Sequence, residues 1–234
     1  MQRDKLIHAS ILVLAALLGW LTAVAFARAE SPGFVQLLSE QGADGEFAGW
    51  RSFHDAPDSK TGDVWTLKAD GVLHCKGKPL GYLISERDYA NFVLKLQWRW
   101  PQGAEPGRGG VLLRTTGPDR IWPKSLEAQI NTGAAGDFWG LDGYQLEGPA
   151  ERTKALEHPQ FGKLINVAKL ADLERPAGEW NQYEIRAEGG TVTLTINGRE
   201  VNRATGCDVV PGKIALTAEG DAIEFRNVQL QPLD

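Results

Sequence analysis

Hydrophobic and polar residues alternate along most of the chain beyond residue 30, which is the pattern of β-strands with one buried face. The clearest example spans residues 91–100, where one face carries Phe92, Leu94, Leu96, Trp98 and Trp100. Alternation also marks residues 180–187 and 191–196. The second of these segments precedes Asn197-Gly198, a dipeptide that favours a type I′ turn and therefore predicts a β-hairpin.

The alternation changes phase near the C-terminal end. Ile223 and Phe225 share one parity, whereas Val228 and Leu230 have the other. One additional residue near Arg226-Asn227 would return all four side chains to a single face, which predicts a β-bulge at that point. A strand that ends at Phe225 and restarts is the alternative.

Strands dominate the remaining pattern, separated by clusters of Gly, Pro, Asn and Asp. Helix is predicted only over about two turns at residues 167–173, before Pro176. Many short strands with few helices predict an all-β fold, a two-sheet jelly-roll sandwich. The sequence contains no repeat and no domain linker, so we expect one domain over residues 30–234.

The first 29 residues read as an export signal. A short charged start precedes an apolar run from Ile11 to Phe26, and Ala27-Arg28-Ala29 supplies small residues for cleavage. A membrane anchor is the alternative interpretation. No other segment is long and apolar enough to span a bilayer, so we expect a periplasmic or secreted protein that is not integral to the membrane after cleavage.

Charge and cysteine content narrow the possible partners. Cleavage would remove three of the 25 basic residues and one of the 30 acidic residues, leaving a net charge of −7. This acidity argues against nucleic acid and anionic membrane surfaces as partners. Cys75 and Cys207 could form a disulfide in an oxidising compartment, with buried free thiols as the alternative.

Three segments, 109–114, 124–131 and 143–147, are predicted to be neighbouring strands with one apolar and one polar face. The polar face would carry Arg114, Glu127, Gln129, Gln145 and Glu147, flanked by Trp122 and Trp139. Acid, amide and guanidinium groups beside tryptophan suit a polyhydroxylated ligand. A solvated sheet face is the alternative.

Several of these residues also have structural interpretations. Arg114 and Glu127 could form a cross-strand ion pair, and Trp122 could pack in the core. In the Gly-rich loop 133–143, Asp137 and Asp142 could make turns. Alternatively, these two residues or Glu127 could bind Ca²⁺ through oxygen. We therefore treat Asp137 as a candidate metal ligand and a divalent cation as a possible cofactor.

Other classes of site have no support in the sequence. His54, His74 and His158 have no compact zinc spacing, and there is no G-x-S-x-G nucleophile elbow. A phosphate-binding Gly loop followed by Lys and a helix is also absent. The E-x-D-x-x-E cluster of retaining glucanases is absent too, which argues against ordinary double-displacement cleavage of unoxidised glucans.

At several segments the chain resembles the 3-keto-disaccharide hydrolase domain family. The matching segments are Gly71-Val72-Leu73, Gly81-Tyr82-Leu83, residues 89–92, residues 96–100, Gly109 to Arg114, residues 122–129, Glu179-Trp180-Asn181 and Gly212 to Leu230. The resemblance implies a concanavalin A-like lectin/glucanase fold and an exported protein acting on glycosides whose C3 hydroxyl has been oxidised to a ketone. Some members have Gln and His in the strand before the last, where this chain has residues 214–220. If that His were a ligand or catalyst, Glu219 would have to replace it, or the activity differs.

Cleavage next to a C3 ketone requires a base near C2, an acid near the leaving oxygen and a group that holds the enolate oxygen. We assign Glu127 as the base or a metal ligand, Glu147 as the second carboxylate and Arg114 as the group that binds the keto oxygen. Gln129, Gln145, Trp122 and Trp139 are then expected to bind the sugar. The alternatives are a carbohydrate-binding module without catalysis and a structural or adhesion protein.

Overall fold

A computed structural model describes residues 33–234, which form two antiparallel sheets of eight strands each. The predicted signal peptide, residues 1–29, lies outside the described residues. Among the residues that are described, no helix has the length and apolar character needed to cross a membrane.

The sixteen strands differ in length from two to ten residues. In chain order they are β1 Val35–Gln36, β2 Trp50–His54, β3 Trp65–Leu67, β4 Leu73–Cys75, β5 Gly81–Ser85, β6 Phe92–Arg99, β7 Gly110–Thr116, β8 Lys124–Gln129, β9 Phe138–Leu141, β10 Thr153–His158, β11 Gly162–Val167, β12 Asn181–Glu188, β13 Thr191–Ile196, β14 Arg199–Ala204, β15 Lys213–Ala218 and β16 Ile223–Pro232. A single helical turn, Thr61–Val64, and a 3₁₀ turn, Ala150–Arg152, are the helices of the described chain.

The strand order places sequence-distant segments side by side. Sheet 1 has the order β14-β13-β12-β6-β16-β4-β3, with β1 paired to β16. Sheet 2 has the order β10-β11-β9-β8-β7-β15-β5-β2. The two-sheet all-β sandwich expected from the alternation is therefore confirmed.

The main core lies between the two sheets, and it contains every apolar residue that the alternation of β6 assigned to one face. Sheet 2 also has a second, smaller apolar cluster on its outer face, which includes Tyr82, Ile84, Leu112 and Ala215. Because β5, β7 and β15 bury side chains on both faces, the outer face of sheet 2 is an apolar floor and not a solvated surface.

The predicted hairpin and bulge are both confirmed. Asn197 and Gly198, between β13 and β14, have φ of 50° and 82°, as a type I′ turn requires. In β16, Arg226 pairs with Gln97 but Gln229 pairs with Lys95, so β16 contains one residue more than β6 over this stretch. The additional residue returns Val228 and Leu230 to the core.

The helix predicted at residues 167–173 is wrong. Strand β11 continues to Val167, and the chain beyond it lies alongside other segments. The amide of Ala168 donates to the carbonyl of Arg152 at 2.9 Å, and that of Leu170 donates to Val201 at 2.8 Å. These tertiary hydrogen bonds replace the local bonds that a helix would have made.

Of the two alternatives for Cys75 and Cys207, the structure shows buried free thiols and not a disulfide. Cys75 ends β4, whereas Cys207 follows β14 at the far edge of the same sheet. Five strand spacings separate β14 from β4, or about 24 Å, while a disulfide requires Cα atoms within about 7 Å.

Arg114 does not lie on the outer face of sheet 2, as the alternation predicted. One additional residue in β7 interrupts its pairing with both neighbours, and Arg114 has a φ of 50°. Its side chain is 1% exposed and donates to the carbonyls of Ala90, Asp208 and Gly189 at 2.8, 2.8 and 2.9 Å. Arg114 therefore joins β7 to loops that flank sheet 1, and it forms no ion pair with Glu127.

We predict that Arg114→Met lowers the free energy of unfolding by about 3–5 kcal/mol, because a buried guanidinium is lost and three partly buried carbonyls lose a charged donor. Arg114→Lys should also destabilise the fold, since an ammonium cannot reproduce the planar guanidinium geometry. Urea unfolding monitored by tryptophan fluorescence measures both. Arg186→Met, which removes an exposed arginine paired with Glu188, should change stability by less than about 0.5 kcal/mol. Equal midpoints for the two Met variants would contradict the structural role of Arg114.

Candidate functional site

Glu127 lies at the centre of the outer face of sheet 2. It occupies β8, where its register partners are Leu112 on β7 and Trp139 on β9. The residue is 3% exposed, and its Oε1 atom has no hydrogen-bond partner in the described chain. A buried carboxyl oxygen without a donor is costly for folding, which favours a functional reason for its presence.

Gly110 makes the space that Glu127 occupies. It is the first residue of β7 and pairs with Gln129, one position from the Leu112–Glu127 pair on the same face. A Cβ atom on residue 110 would lie 2.5 Å from Oε1 and 3.0 Å from Cγ of Glu127. The missing side chain therefore leaves a notch in the sheet, and the carboxyl of Glu127 fills it.

Glu219 brings a second carboxyl to this notch. It directly follows β15 and lies on the same face as Thr217. The hydroxyl of Thr217 accepts a hydrogen bond from the Gly110 amide at 2.6 Å. Glu219 is 6% exposed, and its Oε1 atom also has no hydrogen-bond partner. We call Glu127 and Glu219 the carboxyl pair.

The two members of the carboxyl pair oppose each other's ionisation. Burial raises the pKa of Glu127 well above its ordinary value, and the charges of Glu219 and Asp137 raise it further. Burial also raises the pKa of Glu219, although the Thr217 hydroxyl and the charge of Arg108 counteract part of that effect. Ionisation of one carboxyl therefore disfavours ionisation of the other, which favours a state in which only one of the two is charged.

Amide and aromatic groups lie beside the carboxyl pair. The indole N–H of Trp139 donates to Oε1 of Gln129 at 3.2 Å. Because an indole can only donate, this bond fixes the amide orientation and leaves the Gln129 NH₂ group available to a ligand oxygen. The structure thus brings Gln129 and Trp139 together with Glu127, although Trp139 lies on strand β9 and not in the loop expected over residues 133–143.

Trp122 forms a wall of a narrow cleft whose other residues include Tyr82, Leu112 and Glu219. Its ring packs edge-on against Phe161, with centroids 4.9 Å apart. Its backbone has a φ of 54°, a strained conformation that a bulky residue adopts only when its surroundings enforce it. Trp122 belongs to the outer-face cluster, so the structure does not place it in the core between the sheets.

Asp137 lies near Glu127 but has its own partners. Its carboxylate accepts from the backbone of Lys169 at 3.0 Å and from the amide of Asn166 at 3.3 Å. Within residues 33–234, no group of three or more His, Cys, Asp or Glu side chains is arranged to hold a metal ion. The divalent cation expected from the sequence therefore stays a prediction.

Gln145 and Glu147 are not at the site. The chain turns at Asp142-Gly143, where φ is 50° and 79°, and residues 143–146 do not extend sheet 2. Glu147 instead forms a bridge with Thr205, just past the end of β14 in sheet 1, and both side chains are exposed. The parity was right, since Tyr144 and Leu146 are buried, but the predicted strand pairing was wrong.

Sequence reasoning did not find the full carboxyl pair. In the sequence, Glu219 attracted attention only because it lies near the position where some relatives have His. The available signal was parity, because Lys213, Ala215, Thr217 and Glu219 alternate with the core residues of β15. Gly110 was read as part of a strand, and nothing in the sequence indicated that its missing side chain makes room for a carboxyl.

Comparison with solved structures finds proteins of the same fold. A candidate glycosyl hydrolase of Parabacteroides distasonis is 20% identical, with a TM-score of 0.58 over 86% of this chain and 94% of that one. The carbohydrate binding module CBM66 of Bacillus subtilis is 14% identical, with a TM-score of 0.55 over 78% and 95% of the two chains. The β-glucanase of Bacillus licheniformis is 10% identical, with a TM-score of 0.55 over 88% and 100%. Likenesses at these identities establish a shared sandwich fold.

Comparison with curated proteins finds no match to this sequence. A comparison with family models does: residues 34–231 match the family described as the 3-keto-alpha-glucoside-1,2-lyase-like domain. That range includes the carboxyl pair, Gly110, Gln129 and both tryptophans of the outer face. The chain therefore belongs to the 3-keto-alpha-glucoside-1,2-lyase-like domain family, as its sequence resemblance predicted.

Proposed function

We propose that this protein is a carbohydrate-active enzyme that cleaves 3-keto-glycosides by elimination across C1 and C2. The observation that carries the proposal is the carboxyl pair, two buried acids with unpartnered oxygens beside an oriented amide and two tryptophans. Membership of a family described as 3-keto-alpha-glucoside-1,2-lyase-like supports the reaction class. The fold shared with a candidate glycosyl hydrolase and a β-glucanase is consistent with a sugar substrate.

The surroundings of the two acids differ, and this difference suggests their roles. Both acids have an Oε1 atom without a partner, but the charges that act on Glu127 are all acidic, whereas Thr217 and Arg108 favour the charged form of Glu219 and Asp221 opposes it. The shared proton should therefore reside mainly on Glu127, leaving Glu219 ionised. We propose Glu219 as the base and Glu127 as the acid, so Glu127 takes the opposite role from the one assigned from sequence.

In the proposed reaction, Glu219 removes the proton from C2, which the C3 ketone acidifies. The electron pair of the C2–H bond moves toward the carbonyl to form an enolate. When the enolate collapses, a C1–C2 double bond forms, the C1–O bond breaks, and Glu127 gives its proton to the leaving oxygen. Addition of water to the unsaturated keto sugar would complete a net hydrolysis. Release of the unsaturated keto sugar without addition of water would make the reaction a lyase reaction.

The enolate oxygen needs a donor, and Arg114 is committed to backbone carbonyls elsewhere. The NH₂ group of Gln129 is oriented for this role by the bond from Trp139. Arg108 carries an exposed positive charge that acts on Glu219, so it could approach a bound ligand from solvent. A divalent cation, if one binds, would supply Lewis-acid stabilisation at the same oxygen.

A carbohydrate-binding module without catalysis is the second candidate function. The observation that favours it is the fold shared with CBM66, together with aromatic walls suited to sugar rings. This alternative predicts measurable glycan affinity with no turnover of keto-glycosides. It gives no reason for two buried, unpartnered carboxyl groups.

We predict that Glu127→Gln and Glu219→Gln respond differently to the leaving group. With an alkyl 3-keto-glucoside, each substitution should lower kcat/KM by about 10²–10⁴-fold. With a 4-nitrophenyl 3-keto-glucoside, whose leaving group needs no proton, Glu127→Gln should recover most activity while Glu219→Gln stays impaired. Release of the leaving group measures the rates, with the unoxidised glucosides as controls.

The opposite pattern, in which only Glu219→Gln recovers, would restore Glu127 as the base. Full activity of both variants would refute the catalytic role of the pair. If wild-type protein released nothing from any keto-glycoside but bound glycans by calorimetry, the binding-module alternative would stand. Chelator treatment of the wild type then tests the cation, because its removal should abolish activity only if a metal holds the enolate.

We predict that Glu127→Gln makes the protein more stable at pH 8. Folding raises the pKa of Glu127, so the folded state binds protons more tightly, and wild-type stability falls as pH rises above the unfolded value near 4.5. Each pKa unit of that rise costs about 1.4 kcal/mol once the group is ionised. Thermal unfolding should show a higher Tm for the variant at pH 8 and no such charge-related gain below pH 4.5. Glu157→Gln on the exposed strand β10 is the control and should show no pH-dependent difference.

A further inference from the structure

The loop between β7 and β8, residues 117–123, folds back over the outer face of sheet 2. We call these residues the strap. Its Trp122 and the adjoining Ile121 lie against Leu112, Tyr82 and Glu219, far along the sheet from the end of the β7–β8 hairpin. The strap therefore covers parts of β5 and β7 and reaches Glu219 at the end of β15.

Two adjacent residues of the strap, Asp119 and Arg120, form hydrogen bonds to opposite sides of sheet 2. The carboxylate of Asp119 accepts two hydrogen bonds from Arg51 on β2, at 2.7 and 2.8 Å, and one from the Tyr82 hydroxyl on β5, at 2.9 Å. Arg120 donates to Asp142, just after β9, at 3.1 Å and to the carbonyl of Gln160 at 3.0 Å. Because β2 and β9 lie toward opposite edges of sheet 2, these bonds stretch the strap across the face.

The bonds fix Trp122 in a conformation that it would not otherwise adopt. The strained backbone of Trp122 follows two residues after Arg120, and Pro123 is buried directly beyond it. The ring is held on its far side by Phe161. Release at Asp119 would remove three of the hydrogen bonds that keep the indole against the cleft of Glu219.

We infer that Asp119 is a positioning residue, which acts through the strap to place Trp122 against the sugar that reacts at the carboxyl pair. This inference rests on the proposed function. Asp119 itself is exposed and forms a surface ion pair with Arg51, so its effect on global stability is small. Its effect on substrate binding is large because a displaced Trp122 no longer defines the wall of the cleft.

The chain offers its own probe and control. Trypsin cleaves after Arg120, within the strap, so the rate of cleavage between Arg120 and Ile121 reports how often the strap leaves the sheet. Glu200→Ala removes an exposed ion pair with Arg203, at 2.8 Å, on strand β14 of sheet 1. It matches Asp119→Ala in charge and exposure and should leave cleavage and turnover unchanged.

For Asp119→Ala we expect cleavage after Arg120 to accelerate at least fivefold, identified by mass spectrometry of the fragments. KM for a 3-keto-glucoside should rise by roughly tenfold with a smaller change in kcat, while Tm shifts little. Asp119→Glu, which keeps the carboxylate, should restore part of the lost affinity. This split between KM and kcat separates positioning from a general loss of structure.

Unchanged cleavage in Asp119→Ala would overturn the role of Asp119 in holding the strap. Faster cleavage with unchanged KM would show that the strap is held by Asp119 but does not position Trp122 for substrate, which also overturns the inference. If the wild type turned over no keto-glycoside, the proposed function would fail, and with it the effect on KM. The cleavage measurement needs no substrate and would still decide whether Asp119 fixes the strap.

Discussion

Two carboxyl groups share one notch in an apolar sheet face, and the arrangement of sheet 2 follows from that constraint. Strands in a sheet are spaced by about 4.8 Å, so residues on adjacent strands bring their side chains close together. The missing side chain of Gly110 lets Glu127 lie over the neighbouring strand, toward Thr217 and Glu219. Because both acids are buried, they cannot both be charged without a large electrostatic cost. Protonation of one of the two acids is thus favoured.

The apolar floor around the notch is part of the same constraint. A carboxyl in water would titrate near its ordinary pKa, so the shift depends on Leu112, Tyr82 and the other outer-face residues that exclude solvent. This explains why the central strands of sheet 2 are apolar on both faces although one face is not in the inter-sheet core. The folded state loses stability to keep unpartnered acids there, as functional sites commonly do.

Parity alone was enough to predict much of this fold. The strands with one buried face, the turn at Asn197-Gly198 and the bulge at Arg226-Asn227 follow from counting residues between apolar positions. Glu127 and Gln129 were predicted together because they share one face of β8, whereas the strand β9 that carries Trp139 was predicted to be part of a loop. Counting alternate residues fails where a strand contains an inserted residue or where the chain turns out of the sheet. A bulge directs Arg114 inward, and an early turn takes Gln145 and Glu147 to the other sheet's edge. Neither the bulge nor the turn leaves a periodic signal in the sequence. The approach of Glu219 to Glu127 was not predicted either, because it depends on a strand order that joins residues far apart in sequence.

Burial by itself does not distinguish the carboxyl pair from other acids of the chain, as Glu224 demonstrates. Glu224 on β16 is 3% exposed, the same as Glu127. Burial raises its pKa too, but hydrogen bonds from Lys68 at 2.6 Å and Arg99 at 2.8 Å outweigh that effect, and the net pKa is lowered. Glu224 is therefore a structural ion-pair partner of Lys68 and Arg99 in sheet 1. Glu127 has equal burial without a cation bonded to it, and burial beside other acids raises its pKa. The absence of a bonded cation at Glu127, more than its depth, is the feature on which the role proposed for sheet 2 rests.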